Sequence, residues 1–101
     1  MKIGLIFLVM AVGTISTPVW AGRDIKPETV REWVDSGQIL SFEDIFQLNK
    51  SYISGKILDL EVEKKDEHIV YEIEQLKDNG EVSEVYIDAV TGQFIKEEAE
   101  D

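Results

Sequence analysis

Residues 56–95 read KILDLEVEKKDEHIVYEIEQLKDNGEVSEVYIDAVTGQFI, and the alternation inside that stretch decides the fold. Leu58, Leu60 and Val62 alternate with Asp59, Glu61 and Glu63. Ile69, Tyr71 and Ile73 alternate with Val70, Glu72 and Glu74. Val85 and Ile87 alternate with Glu84, Tyr86 and Asp88. A period of two over three consecutive runs predicts three antiparallel strands with one face buried. The breaks between the runs carry turn chemistry. Lys65-Asp66-Glu67 separates the first two, and Asp78-Asn79-Gly80 the second and third, where Asn-Gly tolerates the positive φ that a tight hairpin needs. A sheet with one apolar face must be covered, and the upstream segment is available to cover it.

That upstream segment reads as two short helices. Pro27 suits a first helical position, Glu28 complements the positive helix end, and Val30, Trp33 and Val34 form one apolar stripe up to a cap at Gly37. Ser41 is an N-cap with Asp44 three residues on. Phe42, Ile45, Asn49 and Tyr52 then share a face, flanked by Phe46 and Leu48, with Asn49 a polar intruder and Gly55 the expected stop. The predicted fold class is α+β, with N-terminal helices packed on one face of a three-stranded antiparallel sheet.

The ends have their own character. Lys2, the apolar run Ile3–Val12 and Val19-Trp20-Ala21 read as a secretory signal peptide over residues 1–21, cut after Ala21. The uninterrupted apolar run falls well short of the ~20 residues of a membrane-spanning helix. Residues 22–26 are expected to be a flexible new N-terminus, 27–96 the folded domain, and 97–101 a frayed acidic tail. The expected address is the periplasm.

With no cysteine, neither a lipid anchor through a lipobox nor a disulfide is available, so the core alone must hold the domain. The net charge of −11 becomes −12 once Lys2 leaves with the signal. Such an acidic domain is a poor match for nucleic acid or an anionic membrane, which select basic patches. It fits basic protein partners, cations, or solubility alone.

Catalytic and metal motifs are sparse. His68 is the one histidine, set beside a hairpin turn; Ser36, Ser41, Ser51, Ser54 and Ser83 are the serines downstream of the signal. A serine–histidine pairing would need His68, and a turn-edge histidine reads first as a surface residue. No Gly-rich phosphate loop, HExxH or GxSxG occurs. One histidine and no cysteine disfavour zinc and copper sites, and no cofactor is expected. Asp59, Glu61, Glu63, Glu72, Glu74, Glu84 and Asp88 alternate onto the face opposite the core. Carboxylates suit calcium or magnesium, but along strands they spread out where calcium wants convergent oxygens. Ile57, Val70, Leu76, Val82 and Tyr86 are expected on the same face, and apolar residues on a solvent face mark candidate interfaces. The candidate partner-binding set is Val70, Leu76, Val82 and Tyr86 with Glu72, Glu74 and Glu84. A sheet edge near Gln93-Phe94-Ile95 is a second candidate surface.

Tyr71-Glu72-Ile73-Glu74, Asn79-Gly80-Glu81-Val82 and Val85-Tyr86-Ile87-Asp88-Ala89 with Thr91-Gly92 resemble the PepSY domain. The lead-in from Arg31 to Ser41 resembles that of the free-standing periplasmic type, with Ser41 where proline is common and Asn49-Lys50 where the covering helix is more often small and apolar. The resemblance implies helices on a three-stranded sheet, an exported protein and no catalytic residues of its own. Tyr71, Gly80, Tyr86, Asp88 and Gly92 would be framework. It also implies a regulatory role toward an exported or membrane protein, such as a protease or a sensor kinase. Weak homo-oligomerisation and a divalent-cation response are the alternatives.

Overall fold

A computed structural model of the chain describes residues 23–100; the signal-peptide reading of residues 1–21 lies outside them. The elements are β1 (Arg23–Asp24), α1 (Pro27–Asp35), α2 (Phe42–Leu48), β2 (Lys56–Lys65), β3 (His68–Leu76), β4 (Val82–Asp88) and β5 (Phe94–Glu100). All strand pairs are antiparallel and the sheet runs β1-β2-β3-β4-β5 in chain order. The α+β class is as expected, but four long strands replace the three read from the alternation.

The extra strand is the charged run after Ile95. Val85 pairs with Glu97, Glu84 with Glu98, Ser83 with Ala99 and Val82 with Glu100, so residues 97–100 are strand, not a frayed tail. At the other end, Arg23 and Asp24 pair with Lys64 and Glu63, and the Ile25 amide donates to the Val62 carbonyl at 2.9 Å. The segment expected to be flexible is therefore tied to the sheet.

The helix caps follow the local chemistry. α1 begins at Pro27 and ends where Gly37 takes φ 82°. The Gln38 amide donates to the Trp33 carbonyl and the Gly37 amide to that of Val34, the paired bonds of a Schellman motif. The Ser41 hydroxyl accepts the Asp44 amide at 3.1 Å and starts α2. α2 stops at Leu48, well short of Gly55. Asn49 leaves helical geometry, and its carbonyl accepts the Tyr52 and Ile53 amides in a following turn.

The core lies between the helices and one sheet face: Ile39, Ile45 and Ile53 meet Val62, Tyr71, Ile73, Val85, Ile87 and Ala89. Val30, Trp33 and Val34 of α1 pack on it half-buried. The linker between the helices is hydrogen-bonded to the sheet, since the Leu40 amide donates to the Ala89 carbonyl at 2.8 Å and the Tyr71 hydroxyl to the Leu40 carbonyl at 2.7 Å. A bulge at Leu58 shifts the β2 register. It turns Ile57 inward, opposite Gln75, and leaves Leu58 46% exposed. The expectation that Ile57 shares the outer face fails for that reason: a bulge inverts every residue on one side of it.

Candidate functional site: the outer face of the sheet

With one face under the helices, the other carries the acidic residues. The register arranges them in rows across the strands. Asp59, Glu74, Glu84 and Glu98 are successive partners from β2 to β5. Glu61, Glu72, Tyr86 and Lys96 form the neighbouring row, and Lys56, Leu76, Val82 and Glu100 the row on the other side. Adjacent strands are about 4.8 Å apart, so the first row sets four carboxylates side by side. Like charges directly opposite one another oppose strand pairing.

The electrostatics show that crowding. Burial, then the charges of Asp24, Asp59 and Glu72, push the Glu61 carboxyl up to about 7. Burial, then Glu63 and Glu84, do the same to Glu72, also to about 7. Glu100 rises to about 7 chiefly through its hydrogen bond with Glu74. The Tyr86 hydroxyl donates to Glu84 Oε1 at 2.8 Å, and burial followed by that bond raises its pKa. Lys96 Nζ lies 4.9 Å from the Tyr86 ring centre and 2.9 Å from Glu98 Oε2.

The sequence-predicted partner residues divide into two kinds. Val70 and Tyr86 are only 3% and 4% exposed; they are the floor of the face, not its contact surface. Leu76 is 37% exposed, while Val82, Glu72, Glu74 and Glu84 are half-buried. The accessible surface is thus the acidic row together with Leu76 and Glu100. The β5 contribution was missed because it sits in the supposed tail.

Other readings find less support in the geometry. His68 is exposed at the β2–β3 hairpin, while the Ser36, Ser41 and Ser83 hydroxyls bond to Trp33, Asp44 and Glu97 respectively. Oxygens of Asp24, Glu61 and Glu63 lie within 4.8 Å of one another, a convergence the sequence did not suggest because β1 supplies Asp24. Three carboxylates are few against the six to eight oxygens that calcium takes.

The framework residues are structural in detail. Asp88 Oδ1 accepts the Val90 and Thr91 amides at 2.8 and 2.9 Å, and Gly92 takes φ 80°. Asn49 is buried, and its Nδ2 donates to the Ile45 and Gly92 carbonyls at 2.9 Å each. The polar intruder in the covering helix therefore ties α2 to the β4–β5 turn. At the opposite end of the core, the buried Gln75 Nε2 donates to the Tyr52 carbonyl and its Oε1 accepts the Gly55 amide, both at 2.9 Å. Ser83 Oγ and Lys77 Nζ each reach Glu97 Oε2 at 2.7 Å.

The family model described as "Peptidase propeptide and YPEB domain" matches residues 36–98. No curated protein and no solved structure matched the chain. Among the described residues, no helix is long and apolar enough to cross a membrane.

Proposed function

The chain belongs to the PepSY family, and from that premise we propose that it is an exported, non-catalytic module that regulates another exported or membrane protein, a protease or a sensor kinase, by docking it through the acidic outer face. The observation that supports this most is the row Asp59, Glu74, Glu84 and Glu98. Solubility needs negative charge somewhere on the surface. It does not need four carboxylates aligned across a sheet, where they weaken pairing. A basic partner surface relieves that repulsion on binding, and the aligned row speeds encounter and selects the partner by charge. Leu76 and Val82 at the row's border add apolar contact.

The test is crosslinking in the expressing cell, followed by purification of a tagged protein. Glu74→Lys combined with Glu84→Lys is expected to abolish capture of the dominant partner while the circular dichroism spectrum stays native. Unchanged capture would remove the outer face from the interaction.

A divalent-cation response has one observation in its favour, the approach of Asp24, Glu61 and Glu63. Calorimetric titration of the protein with calcium decides it. The docking reading expects no heat and no thermal shift at millimolar ion.

A further inference from the structure

The open edge of β2 has a character different from the outer face. β1 covers β2 only opposite Glu63 and Lys64, with one further bond from Ile25 to Val62, before the chain lifts into α1. Among the described residues, no strand lies beside Asp59, Leu60 and Glu61 on that side. A residue's N–H and C=O point to the same side of its strand, and alternate residues point to opposite sides. The Val62 carbonyl faces β1, so Leu60, two residues earlier, presents its N–H and C=O to the open edge.

Leu60 is 38% exposed, and its side chain opens into a cleft of 680 Å³ roofed by α1 and floored by β2 and β3. Val30, Val34, Phe42, Val62 and Tyr71 give the cleft its apolar lining. The other edge of the sheet is unlike this one. β5 carries Lys96, Glu97, Glu98 and Glu100, and charge is how an edge strand is kept from pairing.

We infer that the β2 edge at Asp59–Glu61 accepts a short extended segment of a partner protein by strand addition, with an apolar residue entering the cleft between two basic residues. The pattern follows from register. A residue paired with Leu60 shares its face and enters the cleft. Its neighbours lie opposite Asp59 and Glu61, where lysine or arginine is complementary and acidic residues are repelled. A second copy of this chain does not fit. Antiparallel pairing centred on Leu60 would set Asp59 against Glu61 twice, carboxylate on carboxylate. The bulge at Leu58 turns the lower part of the strand aside and Ile25 holds the Val62 carbonyl, so the accepted segment is short, about three residues. The inference rests on the chain's being a protein-binding module; it uses the β2 edge and the cleft, and shares only Asp59 with the acidic row.

The test is an NMR titration of isotopically labelled protein, purified after expression of the whole chain, with the end-blocked peptide Lys-Val-Lys, which spans the open stretch Asp59–Glu61 and stops short of Val62, where Ile25 is bonded. Amide shifts are expected at Asp59–Val62 and along Val30 and Val34. N-methylation of the central valine, which removes the donor to Leu60, is expected to weaken binding at least tenfold. Asp59→Lys with Glu61→Lys is expected to do the same, the remaining amide spectrum staying unchanged; the N-methyl comparison uses unmodified protein and needs no folded variant. Shifts centred on Glu74, Glu84 and Glu98 with no effect of N-methylation would overturn strand addition and leave docking on the outer face standing. Absence of binding by any of these peptides would also overturn it.

Discussion

Asn49 shows what one residue does here. Its Nδ2 serves two buried carbonyls, one of them 43 positions away at Gly92. Asn49→Ala leaves both acceptors without that donor, and about 1–3 kcal/mol of stability is expected to be lost, read from urea unfolding. An Asn49→Ala protein as stable as wild type would mean that the link holds nothing. The sequence marked Asn49 only as a polar residue on an apolar face, because the partner carbonyl belongs to a turn that tertiary packing brings to it. Asp88 was more legible, since the amides that donate to its carboxylate lie within three residues and local spacing suffices to predict them.

The outer-face carboxyls make stability depend on pH. Glu61 and Glu72 have folded-state values near 7, above the unfolded value of about 4.3. The folded protein holds more protons between those limits, so their contribution is fully present below about pH 4.3 and is lost as pH rises through 7. Glu97 has the opposite sign. Its bond with Lys77 lowers it, so its contribution is present above the unfolded value and fades in stronger acid. The melting temperature is therefore expected to be higher at pH 5 than at pH 8. Glu72→Gln is expected to raise it at pH 8 and flatten the difference. A melting temperature that rises from pH 5 to pH 8 would contradict that crowding.

Among the elements, β5 is the strand that the charged residues after Ile95 build onto the β4 edge. Ending the chain after Ile95 removes most of β5, exposes the β4 edge and takes Glu97 away from Ser83 and Lys77. The expected loss is at least about 2 kcal/mol, measured by denaturant unfolding, where a frayed tail would cost nothing. The strand hid in the sequence because its inward position is a carboxylate. Glu97 faces the core side opposite Val85, satisfied by Lys77, Ser83 and Gln75, and hydrophobic alternation has no means of finding such a residue. β3 and β4, by contrast, were plain, since every inward residue from Ile69 to Ile73 and at Val85 and Ile87 is apolar. The β2–β3 and β3–β4 turns were equally plain. The bulge at Leu58 was not, because nothing in KILDL distinguishes a bulge from continued alternation. Gly55 is a second local constraint: a Cβ there would run into the Leu76 carbonyl oxygen. Backbone cannot swing aside as a side chain can, so Gly55→Ala is expected to lower the melting temperature by several degrees, an effect on the order of 1–3 kcal/mol. An unaltered melt would show that β2 and β3 separate easily at that end.

For the whole molecule, a small core and no cysteine leave stability near the lower part of the usual 5–15 kcal/mol, and the acidic row draws on it further. Screening is expected to show this directly: added salt at pH 8 raises the melting temperature, since repulsion between exposed carboxylates weakens as the Debye length shortens from about 30 Å at 0.01 M to about 3 Å at 1 M. A face whose charges oppose folding is explained by what it meets. The most direct measurement places a photo-crosslinking amino acid in the expressing cell at Glu84 on the outer face and, separately, at Glu43 on the exposed side of α2. One dominant protein captured from position 84, absent from position 43 and lost on adding Glu74→Lys, is the result predicted. Capture of the same protein from position 43 but not from 84 would contradict docking through the sheet.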